Sequence, residues 1–210
     1  MCGIYGFSVK GFSKNPKRIL EKMGKEIRHR GPDQTGLYID DNIAMGIQRL
    51  SILDIKNGTQ PIFSNNKRYV IVHNGEVYNF LSLKNYLEKK GFKFKTNTDT
   101  EVIVNLFQHK GKKCLKDLNG MFAFAIYDLQ KKEIFIGRDR FGIKPIYFYS
   151  DAKQFIFASE LKGILCHDSI NPSISSDSID LYLTMEYVPA PMTIFNDIYK
   201  LEKGHFLIYN

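Results

Sequence analysis

A chain of 210 residues that is 43% hydrophobic and 25% charged can bury a sizeable core and has the composition of an ordinary globular domain. No run approaches the roughly 18 uninterrupted apolar residues of a membrane span, and Lys10, Lys14, Lys17 and Arg18 interrupt the N-terminus before a signal-peptide core could form, so a cytoplasmic protein without membrane attachment is expected. The net charge of +8 raises nucleic acid as a partner, but the basic residues of the first segment fall on one helix and its flanks without an aromatic stacking platform; that is the pattern of a solvated face, and nucleic-acid binding is set aside.

The chain opens on Met1-Cys2-Gly3-Ile4. Methionine trimming favours a small second residue, and it would leave Cys2 carrying a thiol of ordinary pKa about 8.5 and a free α-amine of about 7.7 to 8.0, a nucleophile and a base together. Position alone does not separate this from a coincidence at a start codon. Residues 4–9 read as a short strand punctuated by Gly3, Gly6 and Gly11. Asn15-Pro16 is a helix cap with a first-turn proline, followed by Leu20, Met23 and Ile27 on one face. Arg28-His29-Arg30-Gly31-Pro32-Asp33 enforces a turn, in which His29 is expected to hold the loop by hydrogen bonding rather than to act in catalysis. Strand-like runs follow at 36–39, 43–47 and 50–53, interrupted by Arg49.

Residues 68–73 form a compact apolar strand that runs into Asn74-Gly75-Glu76, where asparagine followed by glycine predicts a tight turn. Because the spacing of Phe80, Leu83 and Leu87 opens a helix just beyond, the stretch reads as a strand-turn-helix junction, a place where sites tend to be built. Thr98-Asp99-Thr100-Glu101 has capping-box spacing ahead of the buried stripe Val102, Ile103, Leu106 and Phe107. Asp99 by itself needs no function, being a first-turn acid favoured by the helix dipole. Residues 121–127 are apolar on both faces, as in a strand buried between layers. Further strands are expected at 133–136, 146–149, 154–158 and 205–209, and helices at 159–165 and 176–182. Together these elements predict an α+β sandwich, two sheets face to face with helices outside. Cys2, Cys114 and Cys166 make an odd count without metal spacing, so neither a disulfide framework nor a metal site is expected, and the latter two read as small buried or half-buried hydrophobes.

Taken in order, Cys2-Gly3-Ile4, Arg28-His29-Arg30-Gly31-Pro32-Asp33, Arg49-Leu50-Ser51-Ile52, Asn74-Gly75-Glu76-Val77-Tyr78-Asn79, Thr98-Asp99-Thr100-Glu101, Gly120-Met121-Phe122-Ala123-Phe124, Gly137-Arg138-Asp139 and Lys144-Pro145 are jointly very specific. They resemble the N-terminal glutaminase domain of glutamine-hydrolysing asparagine synthetase, a class II (N-terminal nucleophile) glutamine amidotransferase. The resemblance covers essentially the whole chain. Glucosamine-phosphate synthase and amidophosphoribosyltransferase share the N-terminal cysteine and the Asn-Gly pair but carry a different segment in place of Arg28 to Asp33. Tyr187-Val188-Pro189-Ala190-Pro191 resembles a segment of longer bacterial and archaeal members, some of which modify sugars or natural products, and this leaves the ammonia acceptor open.

The resemblance implies a four-layer α-β-β-α sandwich of two mostly antiparallel sheets, the N-terminal nucleophile hydrolase fold, with residues 1–210 as one domain releasing ammonia from L-glutamine. In the family an ATP-dependent synthetase domain follows and amidates aspartate. That domain is absent from this chain; ATP and Mg are expected only there, and no cofactor or metal here. The better expectation is a piece cut at the domain boundary rather than a stand-alone ammonia supplier, with a synthetase domain or subunit as partner and a homodimer left open. Cys2 is implied as the nucleophile that forms a thioester, its α-amine as the base, and the Asn74 side chain and Gly75 N–H as oxyanion donors. The planar fork of Arg49 suits the glutamine carboxylate, Asp99 and Glu76 face its ammonium, Leu50 and Ile52 contribute backbone groups, and Ser51 is structural. Two other functions compete: the same module serving another acceptor, and a catalytically silent glutamine-binding or docking module. The joint presence of Cys2, Arg49, Asn74, Gly75 and Asp99 argues against the silent module.

Overall fold

A strand apolar on both faces needs a packed layer on each side. The structure, a computed structural model that describes residues 1–9 and 15–210, supplies both layers for the 121–127 stretch; Lys10, Gly11 and Lys14 lie outside the described residues. In chain order, strand β1 (Gly3–Val9) precedes helix α1 (Pro16–Glu26), a 3-10 turn at Arg28–Arg30, and strands β2 (Gln34–Ile39), β3 (Ala44–Arg49), β4 (Ile62–Phe63) and β5 (Tyr69–Val77). Helices α2 (Phe80–Glu88) and α3 (Asp99–Lys110) follow, then β6 (Gly120–Asp128), β7 (Glu133–Arg138), β8 (Tyr147–Ser150) and β9 (Gln154–Ala158). The last elements are α4 (Leu161–Leu165), α5 (Ser176–Met185), β10 (Ile198–Lys200) and β11 (Phe206–Tyr209). One sheet has the order β10-β8-β9-β1-β3-β2 and the other β11-β7-β6-β5-β4. Every neighbouring pair is antiparallel.

Period-two alternation decides which layer each side chain enters. In β6, Ala123, Ala125 and Tyr127 face the other sheet, while Phe122, Phe124 and Ile126 face helices; in β5, Val70 and Val72 take the first direction and Ile71 the second. Ile4, Met45, Ile47 and Phe157 complete the layer between the sheets. Val102, Ile103 and Leu106 of α3 cover the second sheet. Leu20 and Met23 of α1, with Ile164 of α4, cover Tyr5 and Phe7 on the outer face of the first. The architecture is therefore the expected four-layer α-β-β-α sandwich. Each fully buried Ile, Leu or Phe contributes about 1.5–3 kcal/mol, so these three apolar layers dominate what holds the sheets face to face.

The caps form as their sequences predict. Asn15 Oδ1 accepts the Arg18 N–H at 3.0 Å with Pro16 in the first turn, and Thr98 Oγ1 accepts the Glu101 N–H at 3.3 Å. The Glu101 carboxylate reaches past Thr98, however, to the N–H groups of Lys95 (3.0 Å) and Thr96 (2.7 Å).

Two expectations are corrected. Asn74-Gly75-Glu76 is not a tight turn: β5 runs through it, pairing Asn74 with Ala123, Gly75 with Phe122 and Glu76 with Met121. Glycine is needed there because φ is +153° and a Cβ would lie 2.1 Å from the Met121 carbonyl oxygen. Residues 50–53 are not a strand either. They begin a loop whose Leu53 and Asp54 carbonyls bind the Arg49 guanidinium, and Ile52 is exposed. β4 and β10, of two and three residues, are too short to show any period in the sequence.

Candidate active site

The first residues of β1 and the last of β3 meet the end of β5 at a cleft of about 180 Å³. All eight residues singled out in the sequence line it. Cys2 precedes β1 and Arg49 closes β3; Leu50 and Ile52 come from the loop beyond; Asn74, Gly75 and Glu76 come from β5 and Asp99 from the first turn of α3.

Strand register places the thiol. Gly3 pairs with Gln48, so Cys2 falls beside the residues that follow β3, and its Sγ accepts the Leu50 N–H at 3.4 Å and approaches the Leu50 carbonyl at 3.6 Å. The Cys2 carbonyl accepts Arg30 Nε at 3.0 Å, and Glu160 holds Arg30 Nη1 at 2.9 Å. His29 Nε2 meets the same Glu160 carboxylate at 2.9 Å, the loop-holding role expected of it. One residue on, Ile4 N–H donates to Ser159 Oγ at 3.0 Å and Ser159 N–H returns to the Ile4 carbonyl at 2.8 Å. Burial pushes the Cys2 thiol above its usual pKa, with the Leu50 hydrogen bond, the chain-terminal charge and Arg49 acting the other way. The thiol is therefore protonated near neutral pH and needs a base to become a nucleophile. Cys114 and Cys166 are driven further by burial, to about 12 and about 11, and are unreactive by the same criterion.

Asn74 is 1% exposed, and among the described residues its Nδ2 has no hydrogen-bond partner. A buried donor left unsatisfied costs about 1–3 kcal/mol. An amide aimed into a cleft beside a thiol can recover that only when an acceptor enters. Arg49 is buried and engaged: Nη2 donates to the carbonyls of Leu53 (2.8 Å) and Asp54 (3.2 Å), and Nη1 donates to Gln34 Oε1 (3.2 Å). Its guanidinium thus latches the loop that carries Ile52. Ser51, expected to be structural, donates its N–H to Asp33 at 2.8 Å. Asp99 accepts the Val77 N–H through Oδ2 at 2.9 Å, and its Oδ1 lies 3.8 Å from His73 Nδ1. Burial lowers the pKa of His73, so the imidazole is neutral and forms no ion pair with Asp99.

Gln60, His73, Thr100, Met121 and Lys144 also line the cleft; Thr100, Met121 and Lys144 stand in the sequence motifs without an expected site role, and Gln60 and His73 stand in none. Gln60 brackets His73, accepting its N–H at 2.7 Å and donating to its carbonyl at 3.2 Å, an arrangement without sequence signal. Lys144 did have one, the Lys144-Pro145 pair, but a lysine in a polar turn reads as solvated, and it is 5% exposed. Among the described residues no group of three or more His, Cys, Asp or Glu is placed to hold a metal ion, and no helix is long and apolar enough to cross a membrane.

A family model described as a glutamine amidotransferase domain matches residues 1–210. The chain is 36% identical over 97% of its length to asparagine synthetase [glutamine-hydrolyzing] 1 of Bacillus subtilis, and 41% identical over 79% of its length to asparagine synthetase B [glutamine-hydrolyzing] of Escherichia coli. It spans only 33% and 30% of those two relatives. Among solved structures, glutamine phosphoribosylpyrophosphate amidotransferase from B. subtilis superposes with a TM-score of 0.65 at 22% identity, covering 78% of this chain and 43% of that one.

Proposed function

The chain belongs to the glutamine amidotransferase domain family, and on that premise we propose that the cleft hydrolyses the side-chain amide of glutamine to glutamate and ammonia, with Cys2 as nucleophile. The observation that carries the proposal is the convergence in one cleft of the half-buried Cys2 thiol and the buried amide of Asn74, whose Nδ2 is partnerless among the described residues.

Removal of Met1 turns the Cys2 nitrogen into a free amine. The neutral amine takes the thiol proton while Sγ bonds to the amide carbon, and the carbonyl π electrons move onto oxygen. Asn74 Nδ2 and the Gly75 N–H hold that oxyanion, each such donor being worth about 10²- to 10³-fold in rate. Collapse breaks the C–N bond, the proton passes from the amine to the departing nitrogen, and a thioester remains. Water, deprotonated by the same amine, then releases glutamate and restores the thiol. Arg49 binds the substrate carboxylate, for which its planar fork of donors is suited. Asp99 and Glu76 face the substrate ammonium, and Leu50 and Ile52 hold its backbone.

None of these steps calls on a cofactor; ATP and Mg belong to the synthetase portion of a longer protein. The relatives' names favour asparagine as the final product, made in the cytoplasm by a synthetase domain or subunit that takes up the ammonia. Assembly as a homodimer belongs to the same proposal and is read by light scattering. The central test is covalent. A glutamine-like diazoketone should add one equivalent to the Met1-free protein at Cys2, with glutamine protecting. No adduct, or an adduct on Cys114 or Cys166 alone, refutes the proposal.

A further inference from the structure

Lys144 is 95% buried, yet its ammonium meets no carboxylate: among the described residues the partner of Nζ is the Met1 thioether at 3.1 Å, a weak acceptor. Its backbone is held on both sides. The N–H donates to Asp139 Oδ2 at 3.0 Å, and the carbonyl accepts Arg138 Nε at 2.9 Å. Asp139 is itself fully buried and also accepts the N–H groups of Phe122, Phe141 and Ile143. The loop after β7 is thus built to deliver a cation into the cleft at the chain terminus. An unpaired buried charge is among the costliest features a fold can keep, and this one sits beside the Met1 side chain in the cleft that Cys2 also lines.

We propose that the Lys144 charge sets the proton affinity of the Cys2 α-amine, disfavouring its ammonium form so that it enters the reaction as a base. A like charge nearby disfavours a second positive charge, which lowers the pKa of an amine. Two other cations act on Cys2 in the same direction: Arg30, from the 3-10 turn, donates Nε to the Cys2 carbonyl but shares its charge with Glu160, and Arg49, from β3, is held by loop carbonyls. Lys144 adds to them a charge that meets no carboxylate among the described residues. Asp139 is taken up by backbone N–H groups. Glu76 from β5 and Asp99 from α3 act in the opposite direction, and without Lys144 they would hold the amine protonated. Lys144 acts through Cys2 and is in this sense a positioning residue. The inference rests on the reading of Cys2 as an N-terminal nucleophile.

The test compares Met1-free wild type, Lys144→Met and Lys144→Arg. The pH dependence of kcat/KM for glutamine hydrolysis and the pH dependence of Cys2 labelling by the diazoketone are both recorded. Lys144→Met should move the acidic limb of both profiles upward by about one unit, the low end of what a nearby charge does to a titrating group. One unit below the wild-type midpoint this is a further loss of nearly tenfold. Lys144→Arg should keep the wild-type limb. A Lys144→Met enzyme that is slower at every pH with an unmoved limb overturns the inference, while normal labelling leaves Cys2 as nucleophile intact. Failure of the wild type to label at any pH sinks both. If Lys144→Met does not fold, ¹⁵N NMR titration of the wild-type α-amine decides: a pKa below about 7.7 supports the inference, and an ordinary or higher one overturns it.

Discussion

Replacing Asn74 with alanine should separate catalysis from stability. The side chain is 1% exposed and its Nδ2 is partnerless among the described residues, so its removal recovers a desolvation cost of about 1–3 kcal/mol. The void left by the truncation, roughly 30 Å³, costs about 0.7 kcal/mol at about 24 cal/mol per Å³. The two nearly cancel, so Tm should move by no more than a few degrees, at about 2–4 °C per kcal/mol for a chain of this size. Catalysis has no such compensation. Loss of one oxyanion donor should lower kcat by about 10²- to 10³-fold, or about 2.7–4 kcal/mol of barrier. KM should stay within a few-fold, because the negative oxygen exists only beyond the ground state. Ammonia release in a coupled assay and a thermal melt on the same preparation measure both quantities. A folded variant that loses less than tenfold in kcat, or one whose inactivity tracks a collapse of Tm, would refute the oxyanion assignment.

Arg49→Ala should raise KM for glutamine at least tenfold and make the loop after β3 more sensitive to protease, since the guanidinium both faces the cleft and ties down the Leu53 and Asp54 carbonyls; an unchanged KM counts against the carboxylate clamp. Gly75→Ala should destabilise by about 3 kcal/mol or more, because a Cβ 2.1 Å from the Met121 oxygen forces β5 and β6 apart at a positive φ. A normally stable, active Gly75→Ala protein would contradict that geometry. Burial depresses the His167 pKa to about 4. Its contribution is therefore complete above the unfolded value near 6.5 and fades as pH falls from there towards 4, a loss of up to about 3 kcal/mol. His167→Asn should flatten the fall of Tm across that window, and an unaltered slope would show that the imidazole does not cause it.

The helix starts were legible because capping is local: Asn15 and Thr98 bond within their own first turns. The layer order was legible because β6 is apolar on both faces, and only two covering layers can bury it. The Asn74-Gly75 pair misled for the opposite reason. Its local chemistry favours a turn, but nine paired positions from Tyr69↔Asp128 to Val77↔Gly120 hold it extended, and that partner strand lies far along the sequence. Residues 50–53 misled because an apolar run forms a strand only where a neighbour has free hydrogen-bonding edges, and here the Leu53 carbonyl is claimed by Arg49 and the Leu50 carbonyl is approached by Cys2 Sγ.

The sequence by itself, through its resemblance to the glutaminase domain of asparagine synthetases, named the eight residues that line the cleft, and its strand and helix patterning alone implied two sheets face to face with helices outside. Only the tertiary structure decided what each cleft residue touches. The Cys2 thiol rests on Leu50, the Asn74 Nδ2 is left without a partner among the described residues, Arg49 holds its own loop, and Lys144 lies buried against Met1. Burial and partnership are set by strands and loops that approach from distant parts of the sequence, and no local pattern encodes them.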